Sequence, residues 1–335
     1  MTKMIRLAAV AASLLLSVLA THASAYSNVY VFGDSLSDNG NLQALDPSVP
    51  DRFTNGPVAA EVVAGALGFA VTPSYHLIPG ATPGNNYAIA GAKAVDEDGD
   101  ESTPDINLPT QVNAFLQLNG FSVPSDALYI VLIGGNDIRA AREIRSGVVF
   151  AETGEERRAI RQAARESINT AVESQIAQIE KLINAGAQHI LVVNAPDIGA
   201  IPETDLVAMQ LAAAAQTNKQ LRKAQKLPHV TTKLSAKYNR KLAKKLARLE
   251  HRTGIDIIEY DLFGFLTEQI AGAEDYGYTN TDDACIYIFS QGGVVNPECA
   301  DFPIASGFLF WDEIHPTTTA HQNAGVAIVE TILSH

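Results

Sequence analysis

The chain has 335 residues and carries 37 acidic against 24 basic side chains, so its net charge is −13 at pH 7. This acidic balance argues against nucleic acid as the main partner, because the phosphate backbone would repel the protein. The length is ample for one large α/β domain with a full hydrophobic core.

The first 25 residues have the pattern of a secretion signal. Lys3 and Arg6 precede an apolar run that ends at Ala20, and Ala23-Ser24-Ala25 supplies the small residues that a signal peptidase recognises. An uncleaved membrane anchor is the alternative, but the apolar run is short for a bilayer span. We therefore expect cleavage after residue 25, a single domain over residues 26–335, and a secreted or periplasmic protein.

Strand and helix patterns alternate along the rest of the chain. Short apolar runs bounded by turn residues predict strands covered on both faces, at residues 28–32, 127–133, 189–193 and 255–260. Apolar residues at helical spacing lie between these runs, and a last helix follows Pro316. The alternation predicts a doubly wound sheet with helices on both faces and ligands beyond the carboxyl ends of the strands.

Three segments supply hydrogen-bond donors at this predicted edge. Ser35 follows the first strand, where a helix N-cap is the simpler interpretation. Asn136 follows Gly134-Gly135 after the second strand, and Gly91 lies among small residues that would let a ligand approach the backbone. Ester cleavage forms an oxyanion that needs convergent donors. The backbone N–H groups of Ser35 and Gly91 and the side chain of Asn136 would supply them.

Near the end of the chain, Asp312 lies three residues before His315. At this spacing the carboxylate can hold one imidazole nitrogen while the other faces outward, although a purely structural turn contact is the alternative. A serine hydroxyl attacks poorly at neutral pH unless an imidazole takes its proton. We therefore predict that Ser35, His315 and Asp312 act together.

The two cysteines, Cys285 and Cys299, are expected to form a disulfide, because an exported protein folds in an oxidising compartment. Two unrelated buried thiols are the alternative. Neither cysteine belongs to a Cys-x-x-Cys pair, which argues against redox chemistry.

Two segments have an unusual charge. Residues 206–249 include eleven lysines and arginines, between positions 219 and 248, and no acidic residue. Amphipathic helices with basic solvent faces are the simple interpretation, and a surface that binds anionic membranes is the alternative.

Residues 96–101 superficially suggest a calcium loop, but their glycine falls at the fourth rather than the sixth position. We expect a solvated acidic loop there.

Four sequence blocks, in order, resemble those of the SGNH/GDSL hydrolase superfamily: Gly33-Asp34-Ser35-Leu36, Gly91, Gly134-Gly135-Asn136-Asp137 and Asp312-Glu313-Ile314-His315. Residues 32–41 and 52–57 look like the branch of bacterial lipases and phospholipase/acyltransferases. The resemblance implies a flavodoxin-like three-layer α/β/α fold with a mainly parallel five-stranded sheet. It also implies hydrolysis of carboxylic esters through an acyl-enzyme, with no metal and no other cofactor.

By position, the resemblance assigns Ser35 as nucleophile, His315 as base and Asp312 as the group that orients it. Gly91 and Asn136 become oxyanion donors beside the Ser35 N–H. The expected partner is a small-molecule or lipid ester, and we expect a monomer.

Three other functions are compatible with these residues. Transfer of the acyl group to an alcohol such as a sterol shares the first half-reaction with hydrolysis. A metal-assisted phosphoesterase would use Asp34, Asn136, Asp312 and His315 as ligands. An exported lipid- or glycan-binding protein would keep the fold without needing the complete set of reactive side chains.

Overall fold

The computed structural model describes residues 26–96, 99 and 104–335. The predicted signal segment, and residues 97, 98, 100 and 101 of the acidic run, lie outside the described residues. Within those ranges, no helix is both long and apolar enough to cross a bilayer.

A parallel sheet of four strands lies at the centre of the fold. Its strands follow one another across the sheet in chain order: β1 (Val29–Gly33), β2 (Leu128–Leu132), β3 (His189–Val193) and β4 (Ile257–Tyr260). Every residue of β2 is buried, as expected of a parallel strand covered on both faces. All four strands therefore present their carboxyl ends at one edge.

The sheet has one strand fewer than the five expected. Residues 85–89 lie along β1, where the Val31 N–H donates to the Asn85 carbonyl at 3.0 Å and the Tyr87 N–H donates to the Val31 carbonyl at 2.7 Å. A third bond follows, from the Ile89 N–H to the Gly33 carbonyl at 3.2 Å, but the Gly33 N–H donates to the Gln111 side chain at 2.9 Å and not to the Tyr87 carbonyl. The segment therefore forms only an isolated bridge with β1.

Helices cover both faces of the sheet and the loops at its edge. Their bounds in the described residues are α1 (Asn41–Leu45), α2 (Ala59–Ala66), α3 (Leu108–Leu118), α4 (Gly135–Ser146), α5 (Gly154–Asn184), α6 (Pro202–Ala213), α7 (Asn218–Ala224), α8 (Leu227–Thr253), α9 (Leu262–Ala271), α10 (Ile288–Gln291) and α11 (Thr318–Ser334). A 3₁₀ turn, Ala273–Tyr276, follows α9.

Alternate side chains of the strands enter two separate cores. Phe32 packs with residues of α3, α4, α5 and α8, whereas Val29 and Val31 pack with residues of α2 and α11. Successive residues of a strand point to opposite faces, so each face has its own helical layer. The three-layer α/β/α arrangement is confirmed.

Residues 219–248, which carry the eleven lysines and arginines, form nearly all of α7, the short connection after it and most of α8. The face of α8 that carries Leu234, Tyr238, Leu242 and Leu246 is buried, and its lysines and arginines are exposed or half-buried. This is the amphipathic pattern that the sequence predicts.

A smaller substructure lies between α9 and α11. β5 (Asn280–Ala284) pairs with β8 (Phe308–Phe310), and β6 (Ile286–Tyr287) pairs with β7 (Val294–Val295). Cys285 and Cys299 form a disulfide that closes residues 285–299, which we call the disulfide loop. This loop comes shortly before the Asp312–His315 segment.

Candidate active site

Ser35 lies in a tight turn directly after β1. Gly33 has no room for a side chain, because a Cβ atom there would lie 2.2 Å from the Leu132 carbonyl oxygen of the neighbouring strand. The Asp34 side chain accepts the Leu36 N–H at 3.1 Å, and its carbonyl accepts the Ser37 N–H at 3.0 Å. These bonds hold the turn while the Ser35 side chain lines a cleft.

Ser35, His315 and Asp312 meet at the carboxyl edge of the sheet. The Ser35 hydroxyl donates to His315 Nε2 at 2.7 Å. His315 Nδ1 donates to the two oxygens of Asp312 at 2.8 and 2.9 Å. The exposed fractions of the three residues are 8, 4 and 0 % in the same order. With Nδ1 bound to the carboxylate, Nε2 is free to accept the serine proton.

Backbone groups fix Asp312 in this position. Its Oδ1 also accepts the N–H groups of Ile314 at 2.8 Å and His315 at 2.7 Å. The Trp311 N–H donates back to the His315 carbonyl at 2.8 Å, which closes the turn. A buried carboxylate with this many donors keeps one orientation, and it holds the imidazole in one tautomer.

Asn136 lies in the first turn of α4 and lines the same cleft as Ser35. Its amide nitrogen donates to the Ala92 carbonyl at 2.9 Å, which engages one of the two amide hydrogens. The other hydrogen remains for a ligand. The bond to Ala92 also ties α4 to the loop that contains Gly91.

Gly91 precedes Ala92 and has a φ of 86°, in the left-handed region that favours glycine. Among the described residues, no backbone carbonyl accepts the N–H of Gly91 or the N–H of Ser35. Ser35 lines the cleft beside Asn136, whereas Gly91 is not among the residues that line it and is joined to the site through Ala92.

Three further residues shape the site: Gln111 carries no signal in the sequence, whereas Asp34 and Asp137 belong to the sequence blocks named above. The Gln111 side chain bonds to both backbone groups of Gly33, at 2.9 and 2.8 Å, and so holds the end of β1. Asp137 accepts the Ala94 N–H at 2.9 Å and supports the Gly91 loop. Burial raises the pKa of Asp34 to about 7 and that of Asp137 to about 6. Neither carboxyl group bonds to His315.

The cleft beside Ser35 is largely apolar. It has a volume of about 860 Å³, including the space at its mouth, and its walls include Ile198, Ile201, Leu266, Leu309, Phe310 and Ile328. Two aromatic rings flank the imidazole of His315: Phe53 at 5.1 Å and Phe289, in the disulfide loop, at 6.3 Å between ring centroids. The cluster of Ser35, His315 and Asp312 thus opens onto a largely apolar cleft.

Residues 29–328 match the family described as GDSL-like Lipase/Acylhydrolase. The chain is 27% identical to Lipase 1 of Photorhabdus luminescens over 90% of its own length, and it spans 49% of that relative. It is 25% identical to the phosphatidylcholine-sterol acyltransferase of Aeromonas hydrophila, covering 89% of this chain and 87% of that one.

Among solved structures, an extracellular lipase from Streptomyces rimosus aligns with a TM-score of 0.37 and 17% identity, covering 92% of this chain and 99% of the lipase. The family match extends over nearly the whole chain, from β1 to α11. The protein therefore belongs to the GDSL-like lipase/acylhydrolase family.

Proposed function

We propose that the protein is an exported serine esterase or lipase that cleaves carboxylic esters through an acyl-enzyme on Ser35. The hydrogen-bonded series from the Ser35 hydroxyl through His315 to Asp312 carries this proposal. Family membership and the apolar cleft support a lipid-like ester as substrate. The disulfide supports export, because such bonds persist in oxidising compartments.

The proposed reaction follows from the geometry. His315 Nε2 takes the proton of Ser35 as Oγ attacks the ester carbonyl, and Asp312 stabilises the imidazolium that forms. The oxyanion binds to the N–H groups of Ser35 and Gly91 and to the amide of Asn136. His315 then gives the proton to the departing alcohol. Water repeats these steps at the acyl-enzyme, which releases the acid and restores Ser35.

Substitution of the nucleophile tests this proposal. We expect Ser35→Ala to fold, to lose labelling by a fluorophosphonate probe, and to lose kcat by a factor on the order of 10⁴ or more. Ser37→Ala is the matched control, since Ser37 is also buried in the turn but its hydroxyl has no hydrogen-bond partner among the described residues. Wild-type turnover by Ser35→Ala would contradict the assignment.

The preferred substrate can be found from rates on synthetic esters with two to sixteen acyl carbons, with lysophospholipid and phosphatidylcholine added. We expect kcat/KM to rise with acyl length, because each buried methylene contributes roughly 0.8 kcal/mol. A preference for the two-carbon ester would contradict a lipid substrate.

A second candidate function is acyl transfer to an alcohol. It is favoured by the 25% identity to the phosphatidylcholine-sterol acyltransferase. The two reactions differ only in what attacks the acyl-enzyme, so the products distinguish them. With phosphatidylcholine vesicles that contain cholesterol, hydrolysis yields free fatty acid and transfer yields steryl ester.

We also propose that the basic residues 219–248 bring the protein to anionic membranes. Lys244 and Arg248 are both exposed on α8. The double variant Lys244→Glu/Arg248→Glu should sediment less with phosphatidylglycerol vesicles, while its activity on a soluble ester stays unchanged. Equal sedimentation of both proteins would argue against this contact.

A further inference from the structure

We propose that Arg139 is a positioning residue of the oxyanion site. On this proposal, which rests on the proposed function, Arg139 keeps the Asn136 amide in its donating orientation. It also joins Asn136, through Glu203, to the segment that carries the base.

The guanidinium group of Arg139 contacts both partners at once. Its Nη1 donates to Asn136 Oδ1 at 2.9 Å. Its Nε and Nη2 donate to the two oxygens of Glu203, at 2.8 and 2.5 Å. A bidentate pair of this kind fixes the plane of the guanidinium group, and therefore the direction of the third bond.

Glu203 is itself held from two sides. Arg142 Nη1 donates to Glu203 Oε2 at 2.8 Å. The backbone N–H of Glu203 donates to the Glu313 carbonyl at 2.7 Å, directly beside Asp312. Arg139 and Glu203 thus connect the Asn136 side chain to the segment that holds His315: two sets of side-chain hydrogen bonds lead to Glu203, and its backbone N–H makes the last bond. Asn136 and His315 come from distant parts of the chain, and these contacts fix their positions relative to each other.

Orientation matters at Asn136 because an amide can rotate by 180° and exchange its donor for its acceptor. In the observed orientation, Oδ1 faces a cation and Nδ2 faces the Ala92 carbonyl. The opposite orientation would place N–H against the guanidinium group and oxygen against oxygen. A cation on Oδ1 also polarises the amide, which strengthens the N–H as a donor to the developing oxyanion.

This role predicts a specific kinetic effect. The oxyanion exists only after attack on the carbonyl, so a poorly oriented donor should lower kcat and leave KM almost unchanged. Arg139→Met should lower kcat by about 10- to 100-fold, somewhat less than the roughly 10²–10³-fold expected for loss of the donor itself.

Arg142→Met is the matched control. Arg142 contacts the same Glu203 oxygen, as well as Thr204, but not Asn136. It should lower the melting temperature while kcat stays within about 3-fold of wild type, since its role is structural. Equal losses of kcat in Arg139→Met and Arg142→Met would overturn the proposal.

A double-mutant cycle separates positioning from general destabilisation. In an Asn136→Ala background there is no amide left to orient, so adding Arg139→Met should change kcat by less than about 2-fold. Multiplicative losses in the double variant would overturn the proposal. If Arg139→Met does not fold by circular dichroism, Glu203→Gln serves in the same cycle, because it loosens the guanidinium group and keeps the side-chain shape.

Fluorophosphonate labelling of the wild-type protein tests the proposed function separately. Absence of labelling at Ser35 would defeat the enzyme assignment itself. Normal labelling together with wild-type kcat in Arg139→Met would defeat only the role of Arg139.

Discussion

Asn136 reaches the cleft because the residue two positions before it is glycine. Gly134 has a φ of 118°, and a Cβ atom there would lie 2.6 Å from the ring and hydroxyl of Tyr238. Tyr238 cannot move aside freely, since it is fully buried and its hydroxyl donates to Gln175 at 2.7 Å. The chain can therefore turn from β2 into α4 at this point only without a side chain.

Gly134→Ala should consequently lose stability and activity together. We expect the free energy of unfolding to fall by about 2 kcal/mol or more, from backbone strain and the collision with Tyr238. Gly65→Ala is the control: Gly65 lies in α2 with nothing near the added methyl group, and alanine should stabilise it by roughly 0.5–1 kcal/mol. Urea unfolding of both variants tests this, and equal stability of Gly134→Ala and wild type would refute it.

The Asn136 side chain should matter for the reaction far more than for folding. Asn136→Ala removes one of the proposed oxyanion donors, and we expect kcat to fall by about 10²–10³-fold. Its two side-chain bonds, to Ala92 and Arg139, contribute only modestly to stability, so the variant should keep its circular dichroism spectrum. An active Asn136→Ala protein would show that the oxyanion is held elsewhere.

At the scale of elements, Glu313 connects the disulfide loop to the Asp312–His315 segment, which carries the proposed base. Its buried carboxylate accepts the backbone N–H groups of Ile288, Phe289 and Ser290, at 2.9, 3.1 and 2.7 Å, and the Ser290 hydroxyl at 2.6 Å. The loop is thus seated on the Asp312–His315 segment, with Phe289 beside the imidazole. One wall of the site depends on this carboxylate.

Glu313→Gln should loosen that wall, because the glutamine side chain brings its own N–H donors to backbone groups that need acceptors. We expect a loss of about 2 kcal/mol in unfolding free energy and a higher KM for long-chain esters. Glu298→Gln, an exposed change in the same loop, should stay within about 0.5 kcal/mol of wild type. Unchanged stability and KM in Glu313→Gln would show that the loop is held by the disulfide and its strands alone.

Elements with a strong local pattern could be predicted from the sequence, and those set by distant contacts could not. The four buried strands lie where their apolar runs predict, because such runs need cover on both faces. The missing fifth strand depends on Gly33, whose N–H donates to the Gln111 side chain, 78 positions along the chain, and not to residues 85–89. Arg139 likewise gives no sequence signal, because its partner Glu203 becomes a neighbour only after folding.

At the scale of the whole molecule, the layer formed by α2 and α11 contains a buried histidine. The Ala59 N–H at the start of α2 donates to His321 Nδ1 in α11 at 3.2 Å. Burial, helped by the nearby His315 and opposed by Glu61, lowers the pKa of His321 to about 3. The folded protein therefore keeps this imidazole neutral and uses it as an acceptor.

The shift makes stability depend on pH. Between pH 7 and 3 the unfolded chain binds a proton at His321 that the folded protein does not, so stability falls as the pH falls. Burial of Asp34 acts in the opposite direction, since its raised pKa, about 7, favours the folded state in acid. The contribution of His321 must therefore be measured as the difference between wild type and a variant that lacks this titrating group.

His321→Asn keeps an acceptor for Ala59 but does not titrate. Between pH 7 and 4, we expect wild type to lose about 3 kcal/mol of unfolding free energy relative to this variant. Urea unfolding of both proteins at a series of pH values measures how this difference changes with pH. A constant loss of stability from the smaller side chain does not affect the comparison. Parallel pH curves for the two proteins would show that His321 is protonated in the folded state.

The hydrogen bond between Ser35 and His315 spans 280 positions of the chain. A ribosome therefore releases the nucleophile 280 residues before the base. On the proposed mechanism, every shorter nascent chain lacks the group that activates the serine. Ester cleavage on that mechanism can begin only after the Asp312–His315 segment has emerged and packed against the turn that holds Ser35, so the activity waits for folding to join two distant parts of the chain.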